Sequence, residues 1–106
     1  MHSNISSAMQ GKAPPLDQAL AALVDDLEDR GMTQDTMLVV TGEFGRTKLN
    51  ANAGRDHWPS ITTLLLAGGN YNHGRVIGEA DRAYYPSSNK FGPLDLSATI
   101  FDHFGI

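Results

Sequence analysis

MLVVTGEFGRTKLNANAGRDHWP, residues 37–59, is the stretch that decides how this chain folds and where its chemistry lies. The apolar run Met37-Leu38-Val39-Val40 reads as the heart of a strand over 36–41, and its lack of alternation predicts burial on both faces. It leads directly into Thr41-Gly42-Glu43-Phe44-Gly45-Arg46. A carboxylate and a guanidinium therefore stand at the carboxyl end of a strand, where ligands gather in open α/β sheets. Residues 47–54 show no period and read as a loop. Gly54-Arg55-Asp56-His57-Trp58-Pro59 follows, so Glu43 and Arg46 face Arg55, Asp56 and His57 across that loop.

Working outward, Ser60 to Ala67 reads as a second strand closed by Gly68-Gly69-Asn70. Upstream, Leu16, Leu20, Leu23, Val24 and Leu27 form one stripe at helical spacing. Pro14-Pro15 opens that helix and Gly31 ends it. Asp25, Asp26, Glu28 and Asp29 read as its solvated face. Residues 1–13 are small and polar and are expected to form a loosely held arm, leaving 14–106 as a single α/β domain. Beyond Gly69 the chain is rich in turns, with a short strand at Arg75-Val76-Ile77. Its glycines lack the spacing of a phosphate cradle. Pro93 to Phe104 reads as a closing helix with two apolar rows, stopped by Gly105. The expected fold is a layered α/β sheet with helices on its faces. Leu38-Val39-Val40 and Leu64-Leu65-Leu66 are its neighbouring strands, which brings Glu43 and His57 to one sheet edge.

Composition narrows the function. The chain has 106 residues, enough for one domain with a core of its own. Its 41% hydrophobic and 19% charged residues argue against disorder. A net charge of −4, with only 8 Lys and Arg, excludes a nucleic-acid surface. There is no cysteine, so thiolate metal sites and disulfides are excluded. No transmembrane segment and no signal peptide is present in these residues.

Glu43 and His57 are residue types that ligate zinc and other divalent metals. Asp56 is a third ligand or orients His57 from behind. Arg46 and Arg55 suit a tetrahedral anion, because a guanidinium binds phosphate or sulfate oxygens in a fixed fork. Each has a plainer reading. Glu43 equally caps a turn or pairs with Arg46, and a histidine placed as His57 is more often a packed loop residue than a ligand. Trp58 reads as core, and His2, His73 and His103 as surface. Thr41 and Ser60 have no adjacent base in sequence, so no nucleophile is identified.

LVVTGEFGRT (38–47), GRDHWP (54–59), LLLAGG (64–69), GRVIG (74–78) and DLSATI (95–100) together resemble the C-terminal part of a bacterial sulfatase-like family of unassigned function. That family is similar to the alkaline phosphatase superfamily, whose members hydrolyse sulfate and phosphate esters or move phosphoryl groups. The resemblance implies the C-terminal portion of that fold, and an exported protein. It places Glu43 at a superfamily metal-binding Asp and His57 at a later metal-binding His. Phe44 stands where the superfamily has another histidine, so one ligand is missing. The nucleophile and the first metal-binding Asp belong to a half absent from this sequence.

The resemblance thus implies a fragment of a hydrolase of small sulfate or phosphate esters, inactive alone, with zinc, calcium or magnesium as cofactor. A non-catalytic sulfatase-like module serving in binding or assembly is the alternative. A sheet cut from its other half leaves apolar surface uncovered, so self-association is expected.

Overall fold

The computed structural model describes all residues, 1–106, and orders six elements: α1 (Ile5–Asp29), β1 (Met37–Thr41), β2 (Gly45–Leu49), β3 (Arg55–Trp58), β4 (Leu64–Gly68) and α2 (Pro93–His103). The class is mixed α/β, with two separate two-stranded sheets, β1–β4 and β2–β3.

The two apolar runs are neighbours, as their sequences predict. β1 pairs antiparallel with β4 from Met37 opposite Gly68 to Thr41 opposite Leu64. The chain between them folds back on itself as the β2–β3 ribbon, and antiparallel pairing needs only such a hairpin return, whereas a parallel pair requires a crossover. Residues 47–49, expected in a loop, belong to β2. The ladder is regular at Gly45–Trp58 and Arg46–His57, then slips before Leu49–Arg55. That irregularity is why the segment has no readable period. The turn is built by Asn50, whose side-chain oxygen accepts hydrogen bonds from the backbone N–H of Asn52 and of Gly54, each at 3.0 Å. A short amide folded onto its own backbone is what Asn supplies in turns.

Helix α1 begins at Ile5, well before Pro14 and Pro15, which lie inside it. Residues 5–13, expected as an arm, are therefore helical. An interior proline costs a lone helix about 3 kcal/mol, so the upstream turns need support from elsewhere. They receive it from the hairpin turn: Asn4 N–H donates to Asn52 O (3.0 Å), Ile5 N–H to Ala53 O (2.9 Å) and Arg55 N–H to Met1 O (3.1 Å). At the other end Arg30 pairs with Asp26 at 2.9 Å, and Gly31 turns the chain at φ +67°.

Helix α2 follows its sequence signals closely. Gly92 N–H donates to the Asp95 carboxylate at 2.7 Å, Asp95 N–H returns to Gly92 O at 3.1 Å, and Pro93 fills the first turn. The strand expected at 75–77 does not form. No partner strand lies beside it, and Val76 is 96% exposed.

The layered arrangement is the expectation that changes most. Neither helix lies along a sheet face, and the close element pairs are β1 with β4 and β2 with β3. No hydrophobic residue is buried. Only Gly54 and Gly69 are fully enclosed. The accessible surface is 8115 Å², against about 5,800 Å² for a folded monomer of this mass. The radius of gyration is 16.1 Å, against about 13 Å for a compact chain of this length. Roughly 2,300 Å² more surface is open than a self-contained fold leaves. The apolar stripes are present in the sequence, but this chain holds no second layer to meet them.

Candidate functional site

The candidate site is the β2–β3 ribbon together with the N-terminus laid against it. In the ribbon, Arg46 and His57 are directly opposed. Side chains two apart on a strand share a face, and Phe44 joins Arg46 and His57 there. The Phe44 ring stacks on the His57 imidazole with centroids 3.9 Å apart, and the Arg46 guanidinium lies 5.4 Å from the Phe44 ring centre. Phe44, Arg46 and His57 therefore form one contiguous cluster. Phe44 was expected only as a lost ligand; in the structure it fixes the plane of the imidazole.

Both arginines also staple the ribbon. Arg46 Nη1 donates to Arg55 O at 3.3 Å, and Arg55 Nη1 donates to Thr47 O at 3.2 Å. Each is half-buried, and each planar guanidinium has N–H groups left over for an anion. Glu43 sits in the turn between β1 and β2, next to Phe44. It is exposed and makes no ion pair, so neither the cap nor the Arg46 pairing is realised.

Asp56 alternates away from the face shared by His57 and Arg46. Its carboxylate instead engages His2, with Nδ1 to Oδ1 at 3.0 Å, and accepts from Asn50 Nδ2 at 3.2 Å. Asn50 also donates to His2 O at 3.1 Å, so one amide ties the N-terminus to the site. The His2 ring lies 4.9 Å from that of His57. His2 is thus a site residue that sequence reasoning placed at the surface. The pairing spans 54 residues, and no local pattern signals a contact that distant.

Hydrogen bonds from His2 first and Asn50 second hold the Asp56 carboxyl below its ordinary value of 3.8, with the nearby histidine charges adding to this. A carboxyl depressed in the folded state contributes stability that is present above the unfolded value and is lost as pH falls through the folded one. Docking of the N-terminus on the ribbon should therefore be intact above pH 3.8 and weaken in more acidic solution. His2→Ala is expected to return Asp56 towards its ordinary value, which carbon-detected carboxyl titration measures. An unchanged Asp56 titration would show that the His2 contact contributes nothing.

No three His, Asp or Glu side chains gather where they could hold one metal ion. Residues 1–106 match the family described as protein of unknown function (DUF1501). The chain belongs to the DUF1501 family. No curated protein and no solved structure matches it. In this DUF1501 chain no helix is long and apolar enough to cross a membrane.

A second cleft lies at the other end of the molecule, between the turn after β4 and the end of α2. Asp35, Asn70, Tyr71, Asp102 and His103 line it. The Tyr71 hydroxyl donates to Asp102 Oδ2 at 2.8 Å, with Thr99 O 3.1 Å away. The Asp102 contact raises the Tyr71 pKa, because the carboxylate accepts the phenolic proton and disfavours its loss. His103, read from sequence as a surface residue, is half-buried at this cleft.

Proposed function

We propose that this chain is the C-terminal part of a sulfatase-like, metal-dependent hydrolase of sulfate or phosphate esters, similar to the alkaline phosphatase superfamily, and that it is inactive by itself. The observation that carries this reading is the Arg46–His57 register, which sets a cationic fork and an imidazole side by side on one face. Arg46 and Arg55 would grip the tetrahedral anion. Their partial burial strengthens that grip, because charge interactions grow as water is excluded. The open apolar surface supports completion by a further segment.

The donor set does not fit a complete metal centre. A catalytic zinc takes three protein ligands, whereas Glu43 and His57 supply two and Asp56 is turned to His2. Any zinc, calcium or magnesium ion therefore needs ligands from outside these residues, as does the nucleophile. The Phe44 ring on the imidazole favours a second reading, a non-catalytic module that keeps the fold for binding or assembly. The same resemblance suggests export.

Incubating the purified chain with zinc, magnesium, manganese or calcium and assaying aryl sulfate and aryl phosphate esters is expected to give no turnover. Zinc should bind at micromolar affinity or weaker, and binding should be lost in Glu43→Gln and in His57→Ala. Turnover abolished by those substitutions would overturn the claim of incompleteness. In a longer polypeptide carrying the upstream sequence, His57→Ala should lower kcat/KM at least about 100-fold. A longer polypeptide that folds but hydrolyses neither ester would establish the module instead.

A further inference from the structure

We propose that residues 1–13 form a strap that docks on the β2–β3 ribbon and leaves it as one unit, hinged at Pro14–Pro15, and that its closed state occupies Asp56 and the edge at the start of β3. The strap has an extended part and a helical part. Ser3 bridges Ala53 in antiparallel fashion and Arg55 N–H donates to Met1 O, so residues 1–3 lie along the ribbon as a further strand. Asn4 and Ile5 N–H donate to Asn52 O and Ala53 O, and His2 engages Asp56. Gly54 is the floor of this contact. It is one of two fully enclosed residues, and a Cβ built there would strike the His2 carbonyl and the Ser3 nitrogen. Gly54 does not hold a positive φ, so it is the close approach of the strap, not the backbone, that calls for a residue without a Cβ.

The helical part, 5–13, has little stability of its own. Isolated helices shorter than about 12 residues are marginal in water. Pro14 and Pro15 supply no N–H, so the carbonyls of Gln10 and Gly11 lack the donors that stand four residues on in a regular helix. Each proline also disfavours the α region for the residue before it, and Gly11 is a poor helix former. Asn4 makes no side-chain cap. Docking therefore holds 5–13 helical, and the helix in turn delivers the strand to its edge. Loss of either releases both, as far as the prolines. Opening frees the Asp56 carboxylate and withdraws the His2 ring from beside His57, so the strap sets which polar groups the candidate site presents. The device does not depend on the ester chemistry proposed above.

Native-state hydrogen exchange on the full chain tests it. Gly54→Ala is expected to speed exchange at amides 8–13 at least about tenfold, and to leave amides 20–29 and those of β1 and β4 unchanged. Parent-like exchange at 8–13 would overturn the proposal, and so would equal acceleration in β1 and β4. Adding Pro14→Ala and Pro15→Ala to the Gly54→Ala chain should slow exchange at 8–13 again while the Arg55 amide stays fast. Failure to slow would show that the prolines are not the hinge and would overturn the proposal. A staple gives a second arm that needs no destabilised variant. The chain has no cysteine, and bridge partners in an antiparallel pair lie about 4.5–5.5 Å apart at Cα, within reach of a disulfide. Oxidised Ser3→Cys with Ala53→Cys should slow exchange at 8–13 at least about tenfold, and reduction should reverse this. Equal exchange in the oxidised and reduced forms would show that the strap does not open.

Discussion

Gly68→Ala is expected to cost about 3 kcal/mol and to leave the chain largely unfolded. Gly68 closes β4 opposite Met37 with φ +71°. A Cβ there would come to 2.2 Å from Thr36 O, a backbone atom that cannot swing aside. The strain of the left-handed conformation and the clash therefore add. The same corner carries two further hydrogen bonds, from Gly69 N–H to Thr33 O and Thr36 O, so displacing it loosens the start of β1 as well. Gly74→Ala is the control. Its φ is +77°, but nothing lies within 4 Å of the added Cβ, so only the conformational cost of about 1 kcal/mol remains. Urea unfolding followed by circular dichroism measures both variants. Equal losses would show that the close approach at Thr36 is not rigid.

Trp58→Ala is expected to cost about 2 kcal/mol, from one hydrogen bond and one aromatic contact, and to release the turn around residues 80–86 from the ribbon. The indole N–H donates to Tyr84 O at 2.6 Å, and the Trp58 ring meets Tyr85 edge-on at 5.2 Å. Tyr84 holds φ +63°, a conformation that persists only when its surroundings impose it. Trp58→Phe keeps the aromatic contact but removes the donor, and should cost about 1 kcal/mol. Trypsin supplies a local reading, because Arg82 lies within the turn. Cleavage after Arg82 should accelerate strongly in Trp58→Ala and slightly in Trp58→Phe. Unchanged cleavage in Trp58→Ala would mean the turn is held by its own bonds, the Ala80–Pro86 bridge and the Asp81 carboxylate accepting from Ala83 and Tyr85 N–H.

Local chemistry in the sequence was sufficient for several elements. The Met37–Val40 and Leu64–Leu66 runs are long enough, apolar enough and sharply enough bounded to be strands, and their pairing follows from there being no better partner for either. Asp95 three residues after Gly92, with Pro93 between, specifies the start of α2, and Gly105 specifies its end. Gly31 marks the end of α1. These features depend on atoms a few residues apart, and sequence displays those distances directly.

The start of α1 and the make-up of the site depend on contacts across tens of residues. Proline read locally opens a helix, yet α1 runs back through Pro14-Pro15 to Ile5 because Asn4 and Ile5 bond to the turn at Asn52 and Ala53. The same docking brings His2 to Asp56 and beside His57, which no spacing rule foretells. The sequence nominated Glu43, Arg46, Arg55, Asp56 and His57. Tertiary structure set Arg46 and His57 together, turned Asp56 to His2, left Glu43 unpaired and laid Phe44 on the imidazole. Sequence alone also determined which faces are apolar, since side-chain type and helical period suffice for that. Whether those faces meet within one chain is decided by three-dimensional packing. Here they stay open, because burying a stripe requires a second layer at the right distance and angle, and this chain folds its strands into two separate ribbons.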